Sequence, residues 1–244
     1  MKILNPFLIA LFIFTPAAFS AKDKSMEEVI DGTTSFLMRD WVTDPEFEDY
    51  SPPQVLSIDK GTKVYGGCGT YIQGDEVAGS SYCPLTNTIF LEPEQLTFFY
   101  ENFGPSSVAY VVAHEFGHAI QARYGDLEGG SEVELQADCL AGVLIDIGSE
   151  KLGITRKDTV QMAQAAYAIG DPTHGTGAQR TYALLSGMGV MEAGCTKKEM
   201  LALKNDQISD PAYKELMTTR SGTAGIDINK TPYPKKLNLI KDAL

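Results

Sequence analysis

The 244-residue sequence predicts an α+β domain that is mainly helical, with a small β-sheet and hairpin region before a central helix at residues 105–124. Two observations predict this class. Short runs rich in β-branched and aromatic residues, typical of strands, lie between residues 54 and 91. From residue 93 onward, apolar residues recur at spacings of three and four, which is typical of amphipathic helices. A small sheet followed by a helical body is the layout of a single α+β domain.

The N terminus predicts a secretory signal peptide, residues 1–20. Lys2 precedes an apolar run, and the small residues Ala18 and Ser20 occupy the −3 and −1 positions of a cleavage site. The apolar run is short for a membrane span, and an uncleaved anchor is the alternative. We therefore expect an exported protein, periplasmic or secreted, with no stable membrane insertion after cleavage. Residues 21–244 are expected to form one domain.

The net charge is −12, and the sequence has no basic patch for nucleic acid and no cationic face for anionic lipid. We expect no nucleic-acid partner, and the oligomeric state is not readable from the sequence. All four cysteines follow the predicted signal peptide, which suggests two disulfides in an exported chain. Of three possible pairings we favour Cys68–Cys83, which closes a short loop, together with Cys139–Cys195. Buried free thiols are the alternative.

Hydrophobic patterns, together with proline and turn residues, predict the elements before the central helix. Residues 26–41 predict an amphipathic helix, and "VLSID" and "KVYGGCGTY" predict short strands. The stretch "SSYCPLTNTIFLEP" predicts a hairpin with its turn at Pro84 to Asn87 and a second strand over Thr88 to Leu91. Pro93 then begins a helix that ends near Gly104.

Three further helices are predicted after the central one. The first runs from Ser131 to about Ile147, Thr155 caps the second, and Thr176 or Gly177 begins the third. Beyond about Lys204 the sequence mixes proline, glycine and charged residues, and its role is not readable.

The stretch "AYVVAHEFGHAIQ", residues 109–121, contains an HExxH motif in a chain with only three histidines. On a helix, His114 and His118 lie on the same face and can bind one metal ion. In zinc hydrolases the glutamate of this motif, here Glu115, is the general base and not a ligand. A helix with two incidental histidines is the alternative. Gly117 is unfavourable by about 1 kcal/mol in a helix interior, which a closely packed neighbouring helix would explain.

A third metal ligand is expected in "SEVELQADCLAG", where Glu132 and Glu134 are the candidates. Glu134 has Asp138 four residues later on the same face, where the aspartate can accept the spare imidazole N–H of one motif histidine. Glu132 has a glutamine at that place, so Glu134 is favoured. Two alternatives stay open: Glu134 is part of a helix-capping box with Ser131, or His174 is the third ligand.

The segments "AYVVAHEFGHAIQ", "ELQADCLAG" and "GDPTHGTGAQR", preceded by "CGTY…SSYCPLTNTIFLEP", resemble the neutral zinc metallopeptidase family of bacteria. The likeness runs from about Met26 to Cys195, and the core extends to about residue 197. The segment from about 200 to 244 is an extension outside it. The family's cysteine positions match those of this chain, which supports the favoured pairing.

The resemblance implies a zincin-like metalloprotease domain of the gluzincin type that binds one Zn²⁺ and acts on peptides or unfolded proteins. Position by position, it implies that His114, His118 and Glu134 are the ligands and Glu115 is the base. It also supports His174, in the glycine-flanked loop "DPTHGTG", as a second electrophile for the substrate oxyanion. A solvated loop histidine is the alternative, and Arg180 and Tyr182 are further candidates for that role.

Strands around Gly79–Ser81 or Thr88–Leu91 could bind a peptide as an added strand. Two other functions remain open. One is a non-catalytic, zinc-stabilised module that binds envelope proteins. The other is a zinc amidase that acts on a non-protein amide. The intact Glu115 favours a peptidase over the non-catalytic module, because a structural zinc site has no use for a base there.

Overall fold

In a computed structural model, the protein is described over residues 24–47, 49–58, 63–65, 71–73, 79–219 and 222. The predicted signal peptide, residues 1–20, lies outside these ranges. The described residues are mostly helical and include a small mixed sheet, so the predicted α+β class is confirmed. None of the helices among them is both long enough and apolar enough to cross a membrane.

The helices are α1 (Met26–Thr43), α2 (Pro93–Phe103), α3 (Pro105–Tyr124), α4 (Ser131–Leu152), α5 (Arg156–Ala168), α6 (Gly177–Gly187), α7 (Lys197–Lys204) and α8 (Pro211–Thr218). The strands are β1 (Gln54–Ser57), β2 (Lys63–Tyr65), β3 (Tyr71–Gln73), β4 (Ser81–Cys83) and β5 (Thr88–Leu91). A short 3-10 turn, Pro45–Phe47, follows α1.

The three-stranded sheet has the order β1-β5-β4. Strand β5 pairs in parallel with β1 and antiparallel with β4, and all four of its residues are buried. The β4–β5 hairpin agrees with the sequence, whereas the parallel pairing with β1 has no local signal. The predicted strand "KVYGGCGTY" contributes β2 and the first residue of β3, which pair with each other, and residues 66–70 between them lie outside the described ranges.

Helices α3 and α4 form the centre of the helical body. Buried residues occur on all sides of both helices, as expected of elements that have neighbours all round. They approach closely at Gly117, where an added methyl group would lie 2.8 Å from the carbonyl oxygen of Ala137 and 3.2 Å from its Cα. This confirms the expected close neighbour. The absence of a side chain at Gly117 lets α4, with Glu134 in its first turn, lie against the motif helix.

Replacing Gly117 with alanine is therefore expected to destabilise the protein by about 1–3 kcal/mol, because overpacking against α4 outweighs the gain in helix propensity. Gly32, exposed within α1, has no atom within 4 Å of an added methyl group. The matched change Gly32→Ala should stabilise by up to about 1 kcal/mol. Urea unfolding of both variants measures these changes in the free energy of unfolding. Changes of the same sign in both variants would contradict the proposed close packing of α4 against Gly117.

Helix α4 continues to Leu152, beyond its predicted end near Ile147. Gly148 does not end it, because this glycine is a contact point where an added methyl group would lie 2.6 Å from the ring of Phe36. The helix ends at Gly153, whose φ of +69° is the left-handed conformation common after helices. Helices α7 and α8 were not predicted.

The predicted Cys139–Cys195 disulfide is present and joins α4 to the segment before α7. Its cysteines are buried. Cys83 ends β4. Cys68 lies outside the described residues, so the Cys68–Cys83 pairing stays a prediction.

Candidate metal centre

Three side chains from α3 and α4 converge at one point. The Nε2 atoms of His114 and His118 lie 3.1 Å apart, which places both imidazoles on one face of α3. Oε2 of Glu134, from the first turn of α4, lies 3.3 Å from Nε2 of His114 and 3.4 Å from Nε2 of His118. These three residues each offer a ligand atom within 4.8 Å of the others. This is the set of ligands that the sequence favoured.

Glu132 is directed elsewhere. Its carboxylate is bonded to Lys204 and accepts a hydrogen bond from the backbone N–H of Gly130. The capping-box alternative for Glu134 does not match this geometry, because the residue before α4 is Gly130 and the helix has no side-chain cap. Of the two glutamates, only Glu134 faces the imidazoles.

Asp138 lies behind His114 in a fully buried network. One carboxylate oxygen, Oδ1, is 2.8 Å from Nδ1 of His114 and accepts a hydrogen bond from the Tyr110 hydroxyl at 2.6 Å. Arg180 donates to both carboxylate oxygens, from Nε at 2.8 Å and from Nη2 at 2.9 Å. Arg180 is therefore hydrogen-bonded to Asp138. The sequence did not indicate whether Asp138 contacts His114 or His118, and the structure shows that it contacts His114.

These contacts determine the protonation of the metal-free site. Burial alone lowers the pKa of His114, but the adjacent Asp138 carboxylate outweighs it and raises the pKa to about 10. Burial raises the pKa of Asp138, yet Arg180 and His114 lower it to about 2. Burial likewise raises the pKa of Glu134, but the nearby imidazoles of His114 and His118 hold it well below its usual range. In the absence of metal, a proton on His114 is thus stabilised by two carboxylates.

His118 has a different partner. Its Nδ1 lies 2.8 Å from Oε1 of Gln121, one turn further along α3. Sequence reasoning did not identify Gln121, although its position three residues after His118 is a spacing that brings side chains together on a helix.

Glu115 is 4% exposed, and its Oε2 has no hydrogen-bond partner among the described residues. Burial raises its pKa above the ordinary 4.5, against the lowering effect of the two imidazoles. A buried, unpaired carboxylate oxygen is costly to a fold and rare in proteins. Its presence beside the ligand cluster is more typical of a reacting group than of a structural one.

His174 lies in the loop before α6, and its side chain is 45% exposed. Asp171 organises this loop: its carboxylate accepts hydrogen bonds from the backbone N–H groups of Thr173 and His174 and lies 2.8 Å from Nδ1 of His174. Because Nδ1 contacts Asp171, Nε2 is the ring nitrogen that is left to interact with a bound molecule. Asp171 was not identified from the sequence.

A cleft of about 400 Å³ opens over these groups. His114, Glu115, His118, Glu134 and His174 all line it. The remaining lining residues come from the β4–β5 hairpin region and from the two apolar side chains Leu127 and Val133, with Ser80, Ser81, Tyr82 and Pro84 as the hairpin residues. The structure thus brings His174 to the same cleft as the motif. Tyr182 does not line it, because its hydroxyl donates to Asp210 in a separate cavity of about 620 Å³.

The cluster fits a zinc ion. Two imidazole nitrogens and one carboxylate oxygen are the donor set of many catalytic zinc sites, which hold three protein ligands and leave one position for water or substrate. Asp138 and Gln121 contact Nδ1 of the two imidazoles, which leaves Nε2 of each ring facing the cluster. The three candidate ligands line an open cleft, and Glu115 lines the same cleft.

Helix α3 with its HExxH face, the carboxylate from α4 and the open cleft form a candidate metal site of the kind found in zinc metallopeptidases. A family model agrees with this class. Residues 17–184 match the family described as "Putative neutral zinc metallopeptidase", and the chain belongs to that family.

The relatives found by sequence similarity carry no functional names. The uncharacterized protein Rv2575 of Mycobacterium tuberculosis is 32% identical, over 48% of this chain and 53% of its own length. The uncharacterized protein YpfJ of Escherichia coli K12 is 28% identical, over 54% of this chain and 56% of its own. The chain thus spans about half the length of the curated relatives it matches. No solved structure shows a significant match.

Zinc binding is expected to release at least one proton at pH 7. The raised pKa of His114 keeps its imidazole protonated in the metal-free protein, whereas a ligand nitrogen must be unprotonated. For one displaced proton, the zinc association constant should rise about tenfold per pH unit below the raised pKa. Calorimetry in buffers of different ionisation enthalpy measures the released protons. An affinity that does not change between pH 6 and 8 would contradict the protonation assigned to His114.

Proposed function

We propose that the protein is an exported zinc metallopeptidase that hydrolyses peptide bonds. The observation that carries this proposal is the convergence of His114, His118 and Glu134 in an open cleft that Glu115 also lines, with one buried carboxylate oxygen of Glu115 lacking a partner among the described residues. A structural zinc site is closed by four protein ligands and needs no neighbouring base. Predicted export rests on the signal peptide, and the Cys139–Cys195 disulfide supports it because such bonds persist in oxidising compartments.

Bound zinc would lower the pKa of a coordinated water and polarise the carbonyl of the substrate. Glu115 is the residue that takes the proton from the attacking water and delivers it to the leaving amine. Its raised pKa suits this exchange, because a base with a pKa nearer to neutrality both accepts and returns a proton readily. Asp138 holds the His114 imidazole through Nδ1.

His174 is proposed to donate from Nε2 toward the oxygen of the scissile carbonyl. Asp171 supports this role, because its carboxylate accepts at Nδ1 and fixes the ring at the edge of the cleft. Arg180 is a weaker candidate, since its guanidinium is committed to Asp138 and the Tyr110 hydroxyl.

The substrate is proposed to be an extended peptide or an unfolded protein. Strand β4 has β5 as its single partner among the described strands, and its residues Ser81 and Tyr82 line the cleft together with the preceding Ser80. Of the two strands suggested by the sequence, β5 already has neighbours on both sides. An extended chain could add to the outer edge of β4 and place its backbone across the metal centre.

The proposal is tested by incubating the zinc-loaded protein, and the same preparation stripped of metal, with unfolded casein and a peptide library. Zinc-dependent products with new peptide termini are expected in mass spectra. Zinc binding without cleavage of any peptide would favour the non-catalytic binding module. Release of product only from a non-protein amide panel would favour the amidase.

Replacing His174 with alanine is expected to lower kcat for peptide cleavage by about 10²–10³-fold, because one oxyanion donor is lost. Zinc affinity should stay within about twofold, since the converging group of His114, His118 and Glu134 does not include His174. The control is Lys198→Ala, an exposed residue of α7 outside the cleft. A parallel loss of zinc from the His174 variant would show instead that His174 is a ligand.

A further inference from the structure

Two buried glutamines connect His118 to the backbone carbonyl groups of Val133, in the first turn of α4, and Cys195, before α7. Nε2 of Gln121 lies 2.8 Å from the carbonyl oxygen of Val133 and 2.9 Å from Oε1 of Gln136. Nε2 of Gln136 lies 3.1 Å from the carbonyl oxygen of Cys195. The exposed fractions of Gln121 and Gln136 are 0% and 1%, so bulk solvent does not reach their amides. Together with the His118 contact, they form a continuous chain of hydrogen bonds.

In this chain of hydrogen bonds, donors and acceptors can be assigned in one way only. A backbone carbonyl can only accept, so the amide nitrogens of Gln121 and Gln136 must donate to Val133 and Cys195. Oε1 of Gln136 then accepts the second N–H of Gln121, and Oε1 of Gln121 faces His118. Because an amide oxygen cannot donate, the ring proton of His118 must be on Nδ1. The lone pair of Nε2 is thereby directed at the metal centre.

We propose that Gln121 is a positioning residue that fixes His118 as its Nδ1–H tautomer, with its own amide oriented by Val133, Gln136 and Cys195. The inference rests on the proposed zinc site but not on peptide hydrolysis. The alternative is that the two glutamines only hold α3 against α4. His114 differs in that its proton is held by the carboxylate of Asp138, so the two imidazoles are oriented by partners of different charge.

The disulfide stabilises the Cys195 end of this chain of hydrogen bonds. Cys195 is bonded to Cys139, which lies on α4 three residues after Gln136. The covalent bond therefore holds the accepting carbonyl of Cys195 next to the Gln136 amide.

The first readout uses the unmodified protein. With three histidines in the chain, each imidazole can be assigned by ¹⁵N nuclear magnetic resonance. His118 is expected to carry its proton on Nδ1 in the metal-free and zinc-loaded states, with slow exchange because the bond to Gln121 is buried. An Nε2–H tautomer of His118 in the metal-free protein would overturn the inference whether or not any variant folds.

The second readout is zinc affinity, measured by competition with a chromophoric chelator. Gln121→Met keeps the side-chain length but removes the amide, and it should weaken zinc binding by about 10–100-fold. Gln136→Met should weaken zinc binding less than Gln121→Met does, because the Val133 carbonyl still orients Gln121. The matched control is Gln179→Met, whose buried amide binds the carbonyls of Leu203 and Lys204 and contacts no imidazole. It should leave the zinc Kd within about twofold.

The outcomes separate this inference from the proposed function. Parent-like zinc affinity and an unchanged Nδ1–H signal in Gln121→Met would overturn the role of Gln121 and leave the zinc site intact. Equal losses in Gln121→Met and Gln179→Met would mean general destabilisation and would also overturn it. Absence of zinc binding by the unmodified protein would contradict both the proposed function and the inference.

Discussion

Replacing Glu115 with glutamine is expected to reduce kcat/KM for peptide cleavage by about 10²–10⁴-fold, with zinc content unchanged. Glutamine has the same shape but cannot take a proton from water. The side chain does not bind the metal in this account, because the three converging residues are His114, His118 and Glu134. Cleavage rates and metal content of the parent and the variant, measured on the same preparations, test the expectation.

The stability of the same variant provides a control. Oε2 of Glu115 is buried without a hydrogen-bond partner among the described residues, so removing the carboxylate should not lower the melting temperature of the metal-free protein. A variant that is inactive, zinc-loaded and at least as stable as the parent would identify Glu115 as the base. Cleavage at the parent rate would exclude that role, and loss of zinc would make Glu115 part of the metal site.

Replacing Glu134 with glutamine is expected to weaken zinc binding by more than the roughly 10–100-fold typical of residues that only support a ligand, and to abolish cleavage at limiting zinc. The matched control is Glu132→Gln, two residues away in the same helical turn. Glu132 is bonded to Lys204 and faces away from the imidazoles, so its loss should leave zinc affinity within about twofold.

This pair of variants distinguishes the two glutamates that the sequence offered. A larger loss of zinc from Glu132→Gln than from Glu134→Gln would contradict the ligand set. Comparable small losses from both would indicate that a residue other than either glutamate completes the site.

The sequence predicted those parts of the centre that depend on local geometry. His114 and His118 share a face because residues four apart on a helix always do, and Glu134 with Asp138 follows the same rule. Which imidazole Asp138 contacts depends on how α3 and α4 cross, and no local pattern contains that information. The structure pairs Asp138 with His114.

Other features needed the tertiary fold or were missed despite a signal. The Gln121–Gln136 contact and the burial of Arg180 against Asp138 join residues from different helices. The pairing of β1 with β5 is likewise non-local. Short helices α7 and α8 did have readable signals: Thr196 and Glu199 form a capping box, and Asp210 caps a helix that begins with proline.

The most direct test of the proposed metal centre is X-ray absorption at the zinc edge of the zinc-loaded protein. We expect one zinc per chain, with two imidazole nitrogens at about 2.0–2.1 Å and the remaining ligands oxygen, from Glu134 and solvent. Three imidazoles would make His174 the third ligand. A sulfur neighbour at about 2.3 Å would place a cysteine in the site, and either result would contradict the centre formed by His114, His118 and Glu134.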